Sequence, residues 1–438
     1  MARFLLTVWP LAGHLYPNVA LAHAIRKRGH EVVFYTGPSA EGLLKGEGFE
    51  VFPFRKVDAA RFDKVLFSSD EPVFWWKWRL DQAARYREWL VGMLPGQIED
   101  LRELLPAVQP DVLVCDPMMW GPYAVLRELQ PVTIAMFAYV PFCTVPSPDV
   151  PPLGLGLPPA TNWKSRLWTR LVRTVQDRMT ANIRRSVDEV RRQYGLAPLT
   201  ESISSLAGKM PLYLVAGTRD LDYGRTDLPS TVHYVGPCLW SKPAGSAPAA
   251  WLDELPAGKP VVHVTEGTVH AKKPLVLSAA ARGLANLPVS VVMATGTQRQ
   301  PSQLGLEPLA PNVRVERWVV YDHLLPRTDL VVTTAGAGTV YAALAAGIPL
   351  VMIPTEWDKP EVAQRVRKAG AGVVLSPERC TPQRLRAAVD QVLGDPSFRQ
   401  NARRLAADFQ RHGGPAEAAQ LLENLSLEVG GRAHASYQ

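Results

Sequence analysis

Two residues in the first part of the chain have the chemistry of an acid–base pair. His14 follows Gly13 just beyond a strand-like run, "RFLLTVW". Imidazole changes charge near neutral pH and can take a proton from a hydroxyl. Asp116 closes a second apolar run, "PDVLVCD". A carboxylate beside the imidazole would fix its tautomer and stabilise the imidazolium. Both positions fall at the carboxyl ends of expected strands, where open α/β sheets hold their ligands. Helix capping by the same two side chains explains the pattern equally well, so the pair alone decides nothing.

Glycine turns come next. "TTAGAGTVYAALAAGIP" follows the strand-like "TDLVV" and opens an expected helix. Gly336 and Gly338 let backbone approach a ligand closely, and Thr339 can cap the helix or bond an oxyanion. A helix N-terminus suits an anion. "TEGT" offers a second such turn, with Gly267 and Thr268. A tight connection accounts for either turn by itself. The first half also holds a group of large side chains: Phe74, Trp75, Trp76, Trp78, Met118, Met119, Trp120, Met136, Phe137, Tyr139 and Phe142. Core packing explains most of them singly, while together they suit a large apolar or aromatic ligand.

These residues need a scaffold, and the pattern around them alternates strand and helix. "RFLLTVW", "YPNVALAHAIRKRG" and "HEVVFYTG" begin one series, with Pro17 expected in a first helical turn. "KPVVHVTEG", "KKPLVLSAAARGLANL", "VSVVMATG", "VRVERWV", "TDLVVTTAG" and "PLVMIP" form another. Two such series predict two doubly wound α/β domains. A length of 438 residues fits two cores. The Pro- and Gly-rich "GPCLWSKPAGSAPAAW" reads as the linker, and "VPSPDVPPLGLGLPPATN" as a long loop over a cleft.

Composition narrows the class. A net charge of +7, without blocks of like charge, gives no sign of a nucleic-acid partner. The four cysteines, Cys115, Cys143, Cys238 and Cys380, are scattered, which points to reduced thiols in a cytoplasm rather than a disulfide framework or zinc site. The first residues read as a strand rather than a signal peptide, and no apolar stretch is long enough to span a bilayer. The segment "NWKSRLWTRLVRTVQDRMTANIRRSVDEVRRQYG" is helical, basic and carries Trp163 and Trp168. Peripheral contact with an anionic membrane is one reading. A solvated helix burying one stripe is the other, and Asp177, Asp188 and Glu189 favour it.

Taken together, "GHLYPNVALAHAIRKRGHEVVFYT", "PDVLVCDPMMWGP" and "AGAGTVYAALAAGIPLVMIPTEWDKPEVAQRVRKAGAG" resemble the bacterial natural-product branch of the UDP-glycosyltransferase superfamily, over essentially the whole chain. The resemblance implies a GT-B fold: two Rossmann-like domains facing across a cleft. Residues 1–235 would bind the acceptor, 236–250 would link, and 251–415 would hold a nucleotide sugar. A final helix at about 416–432 would pack back on the first domain. It further implies an inverting transferase without a metal or other required cofactor. His14, oriented by Asp116, would deprotonate a hydroxyl of an apolar acceptor, and a UDP- or dTDP-sugar would be the co-substrate. Trp318 would stack on the base. Gly267, Thr268, Thr334, Gly336, Gly338 and Thr339 would face the diphosphate, and Asp358 and Lys359 the sugar. Trp75, Trp76, Trp78, Met118, Met119, Trp120, Phe137, Tyr139 and Phe142 would line the acceptor side. The protein would be a monomer or homodimer.

The donor side departs from the family pattern. A His-Gly-Gly-x-Gly-Thr motif reads here Thr334-Ala335-Gly336-Ala337-Gly338-Thr339. Ala342 stands for a ribose-binding acid, Tyr321 for a Gln near the base, Lys359 for the Gln after Asp358, and Val362 for an Asn. Each lost bond to a charged group is worth about 1.5–3 kcal/mol. Lys359, Lys272 and His270 are candidate replacement cations, with a solvated surface position the plainer reading of Lys359. Two further functions therefore stand beside the transferase. One is a repurposed homologue using the acceptor cleft for a donor-free cyclisation, elimination or isomerisation. The other is a non-catalytic helper.

Overall fold

The computed structural model describes residues 1–67, 84–241, 248–270, 273–296 and 299–435. Phe74, Trp75, Trp76, Trp78 and Lys272 lie outside these ranges. Seven parallel strands form the first sheet, in the order β3-β2-β1-β4-β5-β6-β7. They are β1 Arg3–Thr7, β2 Glu31–Thr36, β3 Glu50–Pro53, β4 Val112–Cys115, β5 Ile134–Ala138, β6 Leu212–Val215 and β7 Val232–Tyr234. The second sheet has six, in the order β10-β9-β8-β11-β12-β13. These are β8 Val261–Thr265, β9 Ser290–Ala294, β10 Val313–Glu316, β11 Leu330–Thr333, β12 Leu350–Met352 and β13 Gly372–Val374. Central strands such as VLVC and LVVT are buried along their whole length because helices cover both faces of a parallel sheet. This is the GT-B arrangement of two parallel-sheet α/β domains.

Each sheet reverses its winding once. In the first, the chain runs outward from β1 to β2 and β3, then returns to β4 on the other side. The two strands at this switch are in register, Thr7 beside Cys115. In the second, β8 and β11 meet with Thr265 beside Thr333. Ligand crevices form at such switch points, and the segments that follow these four strands carry His14, in the first turn of a helix, and Asp116, Glu266 and Thr334.

The first helix starts earlier than its Pro suggests. It spans Ala12–Lys27, so Pro17 lies inside it and His14 lies in its first turn. Pro17 offers no N–H to the carbonyl four residues back, and a pyrrolidine ring crowds that position. Gly13 occupies it, and even an added Cβ there would meet nothing within 4 Å. The neighbouring His14 carbonyl accepts an N–H from the Asn18 side chain at 2.9 Å.

Three features join the halves. The last helix, Pro415–Ala435, packs on the first, placing Ala418, Ala419, Leu422 and Leu425 in one core with Phe4, Leu6, Val19 and Ile25. Arg365, on helix Lys359–Lys368, pairs with Asp222 beyond β6 at 2.9 Å and with Glu361 at 3.1 Å. Its guanidinium lies over the rings of Phe142 and Tyr223, 4.2 and 4.3 Å from their centroids. The Pro-rich loop bridges too: Leu155 and Gly156 donate their N–H groups to Glu361 Oε1 at 3.2 and 2.8 Å. The basic helical segment divides into Trp163–Met179 and Ala181–Gln193, the first opened by a capping box of Asn162 and Ser165.

Candidate active site

At the first switch point, His14 Nδ1 and Asp116 Oδ2 are 2.5 Å apart, both side chains buried. An ionised carboxylate only accepts, so in this contact Nδ1–H of the imidazole is the donor. Asp116 is itself fixed by the Met118 N–H, 2.8 Å from Oδ1. The imidazole lies against Tyr139, ring centroids 3.8 Å apart, and near Trp89 at 6.1 Å. Burial, then the charges of Asp358 and Asp116, hold the Tyr139 hydroxyl well above its ordinary pKa, so it stays protonated.

An aromatic series continues from this pair. Trp9 stacks on Phe62 at 4.8 Å and meets Trp89 edge-on at 5.6 Å. Trp357, from the second half, meets Trp89 at 5.5 Å and Tyr86 at 5.0 Å. Trp357 has φ +63°, a strained value for a bulky residue, held by packing on both domains. Arg85 lies over its indole and pairs with Glu356 at 3.1 Å. Among the described residues the buried indole nitrogens of Trp89 and Trp357 have no hydrogen-bond partner. Sequence reading overlooked Trp89, Tyr86 and Trp357. The signal was present for Trp357, which directly precedes Asp358.

The expected acceptor residues separate by strand alternation. Tyr139, Phe142, Met118, Met119 and Trp120 belong to, or pack against, the core cluster containing Trp89 and Trp357. Phe137 does not join them. It points to the opposite face of the sheet, fully buried with Phe4 and Leu6.

Asp358 stands next to Trp357, half-buried. Burial raises its carboxyl pKa, while its own backbone N–H, His14 and Lys359 act in the other direction. The preceding residue, Trp357, packs on Trp89, which in turn meets the His14 ring, so Asp358 stands on the stretch of the second domain that approaches the pair. Its side chain does not cap the helix it precedes, so it remains available to a ligand. Lys359 is not a solvated surface group: it is buried, donating to the Val269 carbonyl at 2.8 Å and Thr355 Oγ1 at 3.1 Å. Burial lowers its pKa, opposed by Glu356, Asp358 and Glu266.

At the second switch point several expected donors are already engaged. The Thr334 hydroxyl donates to the Glu266 carbonyl at 3.0 Å, as the adjacency of β8 and β11 dictates. The Gly267 N–H donates to Thr265 Oγ1 at 3.1 Å. The Glu266 carboxylate accepts the Val276 N–H at 2.6 Å, at the start of helix Val276–Gly283, and pairs with Arg299. Ala335 has φ +68° and is fully buried. A left-handed alanine costs about 1–2 kcal/mol, and burying its methyl returns about 0.8 kcal/mol, so this departure from glycine is tolerable.

What stays open is the N-terminus of helix Ala337–Ala345. Its N-cap is Gly336 and no side chain caps it. A Cβ added at Gly336 or Gly338 would meet nothing within 4 Å, so open space borders these N–H groups. Thr339 Oγ1 lies 3.1 Å from the Tyr321 hydroxyl. Trp318 is 45% exposed and borders a shallow pocket with Trp251, Val320 and His323. Thr268 is half-buried at the mouth of its turn. His270 stands near this loop, its Nε2 3.7 Å from where a Gly296 Cβ would be.

Residues 281–425 match a family described as erythromycin biosynthesis protein CIII-like, C-terminal domain. The chain is 36% identical over 427 residues to 4'-demethylrebeccamycin synthase of Lentzea aerocolonigenes, covering 97% of this chain and 99% of that one. In fold it is similar to CalG4, the calicheamicin glycosyltransferase, with a TM-score of 0.74, 24% identity and coverage of 97% and 98%. It is also similar to the spinosyn rhamnosyltransferase SpnG complexed with thymidine diphosphate, with a TM-score of 0.68, 22% identity and coverage of 97% and 100%. With two parallel-sheet domains and a relative matched along nearly the whole of both chains, this chain belongs to the natural-product glycosyltransferases of GT-B fold.

Proposed function

We propose that the chain transfers a sugar, with inversion, from a UDP- or dTDP-linked donor to a hydroxyl of an apolar natural product. The 2.5 Å contact between His14 Nδ1 and Asp116 carries this reading. Nε2, left with the lone pair, takes the acceptor proton. The acceptor oxygen attacks the anomeric carbon as the bond to the diphosphate breaks, and Asp116 stabilises the imidazolium. The leaving diphosphate meets the uncapped N-terminus of helix Ala337–Ala345, whose dipole and N–H groups favour anions. Trp318 supplies a face for the base, and Asp358 an acceptor for sugar hydroxyls. The thymidine diphosphate bound by SpnG supports a dTDP-sugar as the first donor to try.

One observation favours a second reading, in which the acceptor cleft serves a donor-free acid–base reaction. The Thr334 hydroxyl and Gly267 N–H, both expected to face the diphosphate, are engaged internally. Calorimetric titration with TDP, UDP and their sugars separates the two. The transferase reading expects binding to at least one, with turnover lost in His14→Ala while nucleotide affinity is unchanged. Binding to none of them overturns it.

A further inference from the structure

The surface of helix Trp163–Met179 is unlike the rest of the molecule. Eleven large apolar side chains are exposed among the described residues, and six are on this helix. They are Trp163, Leu167, Trp168, Leu171, Val175 and Met179, between 47% and 71% exposed. Five recur every fourth residue, so they form one stripe along a helix roughly 25 Å long. The helix buries only Thr169. The expectation of a solvated helix burying one stripe holds for Ala181–Gln193, which buries Val187 and Val190, but not for Trp163–Met179, whose stripe faces outward. The inward edge is polar instead. Arg173 donates to the Val150 carbonyl at 2.8 Å, Gln176 to the Leu153 carbonyl at 3.1 Å, and Arg166 pairs with Asp149.

The charges around the stripe select its occupant. The helix has five basic residues and one acid, Asp177. Among the described residues Lys164, Arg170 and Arg178 are exposed and form no ion pair. Lys164 Nζ lies 5.6 Å from the Trp163 ring centroid, its stem beside the apolar face. A second copy laid on this face would bring these cations against their own images. An anionic sheet with an apolar interior accepts both features: indole and aliphatic side chains enter, and long cationic side chains reach the headgroups.

We propose that this face docks the protein on an anionic lipid bilayer. Its inner edge holds residues 147–153, and the same loop is tied at Leu155 and Gly156 to Glu361, three residues from Asp358. Docking therefore turns the side that carries this bridging loop toward the lipid, which suits the apolar acceptor of the proposed function if it partitions into membrane.

The test is flotation of the full chain with phosphatidylcholine vesicles, with and without phosphatidylglycerol, while tryptophan emission is followed. The proposal expects flotation and a blue shift with the anionic vesicles only, and weakening by salt. Leu167→Glu with Leu171→Glu should lower vesicle affinity at least about tenfold, since each charge opposes insertion by more than one tenfold step. That variant should keep the circular dichroism and the turnover of a water-soluble acceptor. Failure of the wild type to float, equal binding to neutral vesicles, or unchanged flotation of the double variant overturns the proposal. So does a dimer, seen by light scattering, that the double variant dissolves, because the face would then be a self-interface.

Discussion

Gly338→Ala separates a ligand role from a folding role at a single carbon. A methyl there meets no protein atom, and alanine is favoured over glycine in a helix by about 1 kcal/mol. The variant should be as stable as the wild type or slightly more so in urea unfolding. In the proposed donor site its methyl would stand in the diphosphate's place, so nucleotide affinity should drop about tenfold or more, the equivalent of one bond to a charged group. Unchanged affinity would move the donor site elsewhere. His263 offers a test of the second core. It is fully buried, its Nδ1–H donates to the Val292 carbonyl at 3.0 Å, and burial depresses its pKa to about 4 from 6.5. Between those values the unfolded chain binds the proton and the folded one does not. Stability is therefore complete above about pH 6.5 and falls toward pH 4, by up to about 3 kcal/mol. His263→Gln should flatten this difference when unfolding is followed at the two ends of that window. His14 and Asp116 were legible in sequence because each sits one loop from a recognisable strand end. Trp89 and Trp357 were not, because their meeting depends on how two domains face each other, which no local pattern encodes.

Helices and loops carry the junction. Helix Lys359–Lys368 presents Arg365 to both domains, and all three members of its ion triad are buried. Removing one partner strands the others in low dielectric, at about 3–5 kcal/mol. Arg365→Ala should lose that much in denaturant unfolding. Arg365→Lys should recover little, because a point charge cannot pair side-on with Asp222 while stacking between Phe142 and Tyr223. Recovery by lysine would show that charge alone mattered. Helix Ala337–Ala345 was legible from its glycines. The engagement of Thr334 with Glu266 was not, since it arises from β8 and β11 being neighbours despite their separation in sequence. Pro17 misled about the start of the first helix because proline also fits one turn deeper, where only the bond to the Gly13 carbonyl is forgone.

At the scale of the molecule, alternation of apolar runs with amphipathic helices was enough to foresee two doubly wound sheets, because parallel strands buried on both faces leave an unambiguous pattern. The outward stripe on Trp163–Met179 shows where that logic ends: apolar spacing of four predicts a helix, and says nothing about which side of it meets the protein. The position of the last helix bears on how the chain is made. β7 ends at Tyr234 and the helix begins at Pro415, so roughly 180 residues emerge between them. At ribosomal speed that takes on the order of 10–40 s. Throughout that interval the nascent first domain lacks Ala418, Ala419, Leu422 and Leu425, and the apolar surface of its own first helix stays open. The half translated first is thus the half that matures last. A late stop codon, sparing every residue of both sheets, would strike the domain that holds His14.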